Sequence, residues 1–442
     1  MGSCQLEQLR SLWGGHRDGK GGGPSLRGPA FLWQRCPVGA PVIEFWQAPL
    51  EQTVRNSEEL IRARSRRRKD VADWFGEYIS LAPTSSNQGS TYLPFQRWFH
   101  FKEAFSPKFV ADTLTSLPYK VERCVDPFAG SGTTAITGRM LGVSSVGIEI
   151  NPFLADLIEA KLTPVRAGEF CANYQRLISN LTIEAGDKIR ASGMPRTFAP
   201  PGVDGRYVFS SDVFRTARAI LRRSTSLDSR QARLLRVLLG SVLVANSNVT
   251  INGKGRRYRK NWDGRRRTGN DLIESLDAAV DTAAADLIKF AGLPKGSHAV
   301  HCADARTALT KVSVADVAIF SPPYPNSFDY TDVYNLELWM LGHLRSPTHN
   351  SELRQQTFRS HVQTKWDMTS RIASSKRLSH VVRALTRKRA ELWNRNIPEM
   401  IGFYFDDLCT IFNAAASSSG ARPLPPAYLM MPHVICEHGN TG

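Results

Sequence analysis

Val121-Glu-Arg-Cys-Val-Asp-Pro-Phe-Ala-Gly-Ser-Gly-Thr-Thr134 decides how the rest of the chain is read. Val121 to Val125 has the character of a short buried strand, and Asp126-Pro127 ends it. The small residues Ala129, Gly130, Ser131 and Gly132 follow. Thr133 and Thr134 then open a helix through Ala135, Ile136 and Met140. A strand, a glycine turn and a helix start form a nucleotide-type site. Glycine lets the backbone approach a ligand, and the helix N-terminus offers unpaired N–H groups. No Lys follows Gly132, so this is not a phosphate loop of the G-x-x-x-x-G-K-[ST] kind.

Further along, Ser145-Val-Gly-Ile-Glu-Ile-Asn-Pro152 reads as a second strand ending in Glu149, and Asn151-Pro152 starts another helix. An acceptor-only carboxylate about 20 residues after the glycine turn suits a pair of ribose hydroxyls. His298–Ala305 reads as a third strand with its terminal loop. Ala315–Phe320 reads as a fourth, running into Ser321-Pro-Pro-Tyr324. Strands alternating with helices predict a mostly parallel sheet covered on both faces. Its ligand site lies at the carboxyl ends of the strands, where Asp126, Glu149, Asp304 and Ser321 fall.

Asp126-Pro-Phe-Ala-Gly-Ser-Gly-Thr-Thr134 resembles the S-adenosylmethionine loop of DNA amino-methyltransferases, and Ser321-Pro322-Pro323-Tyr324 resembles their catalytic motif. The resemblance covers Pro94–Leu162 and His301–Gly342. It implies a Rossmann-like α/β methyltransferase fold with S-adenosyl-L-methionine as cofactor. Asp126, Pro127, Phe128, Gly130, Gly132, Thr133 and Glu149 would hold that cofactor. Phe105, Ser106 and Pro107 would pack against its methionine end, and Asp304 would accept from its adenine amino group. Read from the residues alone, Ser106 is also an N-cap for a helix starting at Pro107. By the same resemblance the catalytic loop leads into an aromatic-rich helix over Asn326–Leu344.

The chemistry expected of Ser321, Pro322, Pro323 and Tyr324 is methylation of an exocyclic amino group. Such a nitrogen is a poor nucleophile because its lone pair is delocalised into the ring. Two prolines fix the loop, a backbone carbonyl can accept one amino hydrogen, and Ser321 Oγ can accept the other. Tyr324 offers a face for a flipped base. Family members with Ser at the first motif position usually act on cytosine N4. Adenine N6, an RNA amino group, and a catalytically dead nucleic-acid-binding fold remain as alternatives. Ring-carbon methylation of cytosine would need a Pro-Cys nucleophile, and the chain has no such dipeptide.

Charge points to the partner. Lys+Arg number 57 and Asp+Glu 40, a net +17 with pI near 9.8, which suits a polyanion. The cations cluster within Asn246–Gly269, where Lys254, Arg256, Arg257, Arg259 and Lys260 are interleaved with Tyr258 and Trp262. That mixture predicts phosphate contact and stacking on bases or sugars, with DNA favoured over RNA. Arg345–Arg389 is also basic; a second nucleic-acid segment and a solvated surface are both open readings there.

The chain divides into a Gly/Pro-rich extension (1–50) expected to be disordered and a basic helical segment (51–93). The cofactor-binding part (94–163) comes next, then a helical and basic insertion (164–297) and the catalytic part (298–442). Ala421-Arg-Pro-Leu-Pro-Pro-Ala-Tyr-Leu-Met-Met-Pro432 carries prolines where a fifth strand needs donors, so an incomplete sheet edge is expected. Seven scattered cysteines without a C-x-x-C pair predict no zinc site and a reducing, cytoplasmic setting. No apolar run is long enough for a bilayer, so no membrane partner is expected. The resemblance also places the chain with restriction–modification methyltransferases.

Overall fold

Alternate residues of the central strands enter different cores, and this fixes the layering. The structure, a computed structural model, describes residues 92–417 and 428–429, except 189, 191–192, 253–254, 266, 294–295, 313–314, 326–328 and 365–374. In chain order, α1 (Pro107–Ser116) leads to β1 (Arg123–Asp126), α2 (Thr133–Met140), β2 (Ser144–Glu149) and α3 (Pro152–Leu162). An insertion follows, with α4 (Ala167–Ser179), α5 (Ser211–Ser224) and α6 (Ser229–Leu243). It continues through the hairpin β3 (Val249–Asn252) and β4 (Gly255–Tyr258) to α7 (Gly269–Lys289). The chain then returns through β5 (His298–Cys302), α8 (Ala305–Ala308), β6 (Val317–Phe320), α9 (Tyr330–Val333) and α10 (Asn335–Met340). It ends with α11 (Pro347–Gln356), α12 (Lys376–Arg387), α13 (Ile397–Ser417) and β7 (Tyr428–Leu429).

The main sheet runs β5-β2-β1-β6-β7, and every pairing in it is parallel. Cys124, Val317 and Ile319 face one core with Ile136 and Met140 of α2. Val125, Ala318 and Phe320 face the other with Tyr404, Leu408 and Ile411 of α13. Burial on both faces is why β1 and β6 read as apolar runs rather than alternating ones. Two helix starts follow directly from sequence. Ser106 Oγ accepts from Lys108 N (3.2 Å) ahead of Pro107, and Asn151 Oδ1 accepts from Phe153 N (3.0 Å) ahead of Pro152. Each such cap stabilises by about 1 kcal/mol.

The insertion extends the first core: Leu234, Leu235 and Leu238 of α6 belong to the same cluster as Phe99 and Phe153. Asp286 of α7, buried, accepts from Phe95 N and Trp98 Nε1, both at 2.9 Å, and ties the segment before α1 to the insertion.

Three expectations need correction. The basic stretch contains an antiparallel β3–β4 hairpin that was not foreseen; the alternation in β3, Val-Thr-Ile-Asn, lasts only four residues, and β4 puts Arg256 and Arg257 on opposite faces. The aromatic-rich segment after the catalytic loop is two short helices, α9 and α10, rather than one. The sheet does have a fifth strand. Tyr428–Leu429 pairs with Ile319 and Phe320 of β6, and the prolines flank it instead of occupying it. The extension over 1–50 and nearly all of the basic segment over 51–93 lie outside the described residues. Among the described residues, no helix is long and apolar enough to cross a membrane.

Candidate active site

The carboxyl end of β1 is held by Asp126. Its carboxylate is buried and accepts from Thr134 Oγ1 (2.6 Å) and Phe128 N (3.0 Å), so it closes the glycine loop onto the start of α2. Burial pushes this carboxyl up to about 7, against the pull of its two donors. The loop between needs glycine: Gly130 and Gly132 have φ of 53° and 85°. A Cβ on Gly130 would meet Phe101 Cε1 at 3.0 Å, and one on Gly132 would meet Ile158 Cγ1 at 3.0 Å. Glu149, at the end of β2, accepts from Gly130 N and Asn151 N, both at 2.8 Å. It is likewise pushed up by burial to about 7.

These elements form one wall of an open cleft. Of the residues expected to hold a cofactor, Phe105, Pro127, Phe128, Gly130, Thr133, Glu149 and Asp304 line it, and Ser321 and Pro323 of the catalytic motif join them. Asp126, Gly132, Ser106 and Pro107 stand behind the wall and shape it. Pro322 is buried. Ser321 Oγ lies 3.0 Å from Tyr324 OH. Burial pushes the Tyr324 phenol up while the Ser321 hydrogen bond pulls it down; the net direction is up, so it stays protonated. Asp304 is gripped by its neighbour Arg306, which donates to it from its backbone N–H (2.9 Å), Nε (3.0 Å) and a terminal nitrogen (2.7 Å).

Some residues of the site carried no signal in the sequence. Lys161, buried within α3, donates from Nζ to the Ser131 carbonyl at 2.7 Å. Burial lowers it to about 7. Glu103 lines the cleft and accepts from Tyr334 OH at 2.7 Å. Thr357, Ser360 and His361 form the far wall. The Thr357 hydroxyl donates to Arg354 O (2.6 Å) and lies 3.0 Å from His361 Nε2.

The expected nucleic-acid residues fall on or beside the hairpin, which packs against α9, just beyond the catalytic loop. Arg256, Arg257 and Lys260 are exposed. Arg259 instead donates to Val244 O (3.1 Å) and Ser247 O (3.4 Å), capping the end of α6. Tyr258 and Trp262 are half-buried and packed on each other, 5.1 Å between ring centroids. Lys254 lies outside the described residues.

A family model described as DNA methylase, of the N6/N4 type, matches residues 40–160. Over that stretch the chain is similar to the DNA amino-methyltransferase family. It is similar to the type II methyltransferase M.AvaI of Nostoc sp., at 25% identity over 83% of this chain and 82% of that protein. A similar level of identity, 25%, relates it to the type II methyltransferase M.BsoBI of Geobacillus stearothermophilus, over 74% of this chain and 72% of that protein. The methyl donor of this DNA methyltransferase family is S-adenosylmethionine, and the cleft fits it. Glu149 faces the cleft and keeps lone pairs beyond the two backbone donors it already accepts.

Proposed function

We propose that the protein methylates the N4 amino group of cytosine in duplex DNA at a specific site, as a type II methyltransferase, with the target base flipped out of the helix. The observation that carries this reading is Ser321, whose hydroxyl opens on the cofactor cleft 3.0 Å from Tyr324 OH. S-adenosylmethionine supplies an electrophilic methyl group; this chain's residues bind, orient and desolvate.

Glu149 would take the ribose hydroxyls on its remaining lone pairs. The apolar Phe105, packed behind the capped start of α1, would cover the methionine end. Asp304 would receive the adenine amino group. With Ser321 donating to Tyr324 OH, a lone pair of the serine oxygen is open to one amino hydrogen of the base, and a backbone carbonyl of the loop to the other. Holding those hydrogens biases the nitrogen towards a pyramidal geometry with its lone pair available. Pro322, buried, and Pro323 restrict the loop so that this arrangement is paid for before the base arrives. Arg256, Arg257 and Lys260 on the hairpin side of the catalytic loop would hold the phosphates beside the flipped base. The test is direct: DNA methylated by the purified protein is digested to nucleosides, and N4-methylcytosine is expected by mass spectrometry.

A further inference from the structure

Helix α12 presents a basic face that the rest of the fold does not use. Its inner side is apolar: Leu378 and Leu385, with Val381 and Val382, pack on Ile397, Met400 and Ile401. Its outer side carries Lys376, His380, Arg383 and Arg387, all exposed. The spacing i, i+4, i+7, i+11 puts the four on one face, along about 17 Å of helix. No acidic residue occurs between Lys376 and Arg387.

Several arginines of the other helices are committed to carboxylates. Arg222 of α5 bonds Asp187 (3.0 Å), and Arg236 of α6 bonds Asp156 (3.0 Å). Even Arg389, just past α12, is committed to Glu399. Among the described residues, no ion pair involves Lys376, Arg383 or Arg387. Three unpaired cations on one face repel one another, a cost that a polyanion would offset.

Position matters as much as charge. Val362 packs into the cluster under α12, and it directly follows Ser360 and His361 of the cleft wall. The helix therefore stands one layer behind that wall. The hairpin with Arg256 and Arg257 lies against α9, next to the catalytic loop. The two basic surfaces belong to different elements, each packed behind residues that line the cleft. The α12 face also lacks the aromatic or aliphatic anchor that a protein partner needs. A helix of this width enters the major groove of duplex DNA, which is about 12 Å across.

We infer that the Lys376–His380–Arg383–Arg387 face of α12 is a second contact surface for duplex DNA, separate from the hairpin. The inference rests on the DNA-methyltransferase reading above. It is tested on the full chain with Lys376→Ala/Arg383→Ala/Arg387→Ala, by titrating a duplex substrate over about 50 to 200 mM salt. Affinity at low salt should fall about tenfold or more, and the slope of log K against log salt should shrink by about two to three units. Cofactor affinity should be unchanged. A control, Arg230→Ala/Lys311→Ala, removes two exposed cations elsewhere and should do less than half as much. Arg383→Lys/Arg387→Lys should keep the wild-type slope. Wild-type affinity and slope in the triple variant would overturn the inference, as would a control that matches it or loss of slope in the lysine variant. Wild-type protein that neither binds nor methylates duplex DNA would instead overturn the underlying reading.

Discussion

Lys161 Nζ donates to the Ser131 carbonyl at 2.7 Å, reaching the glycine loop from a helix 30 residues further on. The amine is buried and holds the loop from behind, while Gly130, Ser131 and Thr133 face the cleft. Lys161→Met keeps the apolar stem and removes that bond. A hydrogen bond of this kind contributes about 0.5–1.5 kcal/mol, so cofactor affinity should weaken by up to about tenfold. Calorimetric titration checks this; unchanged affinity in a folded variant would remove Lys161 from the site.

Glu149 should make cofactor binding depend on pH. Burial raises its carboxyl to about 7, and hydroxyl donors favour the charged form. Below that pH, binding must first expel a proton. Affinity should therefore fall as pH drops through 7, by about tenfold for each unit well below it. Proton release, from calorimetry at pH 6 in buffers of different ionisation heat, should vanish in Glu149→Gln. Release that persists in that variant would assign the proton elsewhere.

Asp126 acts on stability through the same physics. Its folded pKa, about 7, lies above the ordinary 3.8. Its contribution is then fully present below about pH 4 and is lost as pH rises through 7. Asp126→Asn cannot titrate, so urea melts at pH 5 and pH 8 should differ less in the variant than in the wild type. Asp126→Ala should go further and abolish cofactor binding with DNA affinity kept, because Thr134 and Phe128 lose their acceptor.

Much of this site could be read in the sequence, because glycine, proline and a terminal acid act locally. Gly130 and Gly132 are needed for their own backbone angles, and Ser106 and Asn151 cap helices two residues away. Lys161, Glu103 and His361 were not legible: each acts through a partner set by tertiary packing, and each looks ordinary in its own segment. The hairpin and the two-residue β7 were missed for a related reason. Pairing of strands this short is set by their neighbours rather than by their own periodicity.

The cations near the hairpin should separate into two kinds. Arg256→Ala/Arg257→Ala removes exposed charge and should lower the salt slope of DNA binding by about two units at little cost in stability. Arg259→Ala should do the reverse. It strips Val244 O and Ser247 O of a donor and should cost about 1 kcal/mol of stability with the slope nearly intact. Thermal melts and salt titrations on the same variants would show the split, and equal slope losses would refute it.

Ser321 carries the proposed choice of base, and its product is the measurement that bears most directly on the account. Duplex DNA is incubated with the purified protein and S-adenosylmethionine, digested to nucleosides and analysed by mass spectrometry. Ser321→Ala runs alongside, with turnover expected to drop by about 100-fold, the scale of one lost transition-state hydrogen bond. The account predicts N4-methylcytosine as the modified nucleoside from wild type. N6-methyladenine without N4-methylcytosine would contradict it.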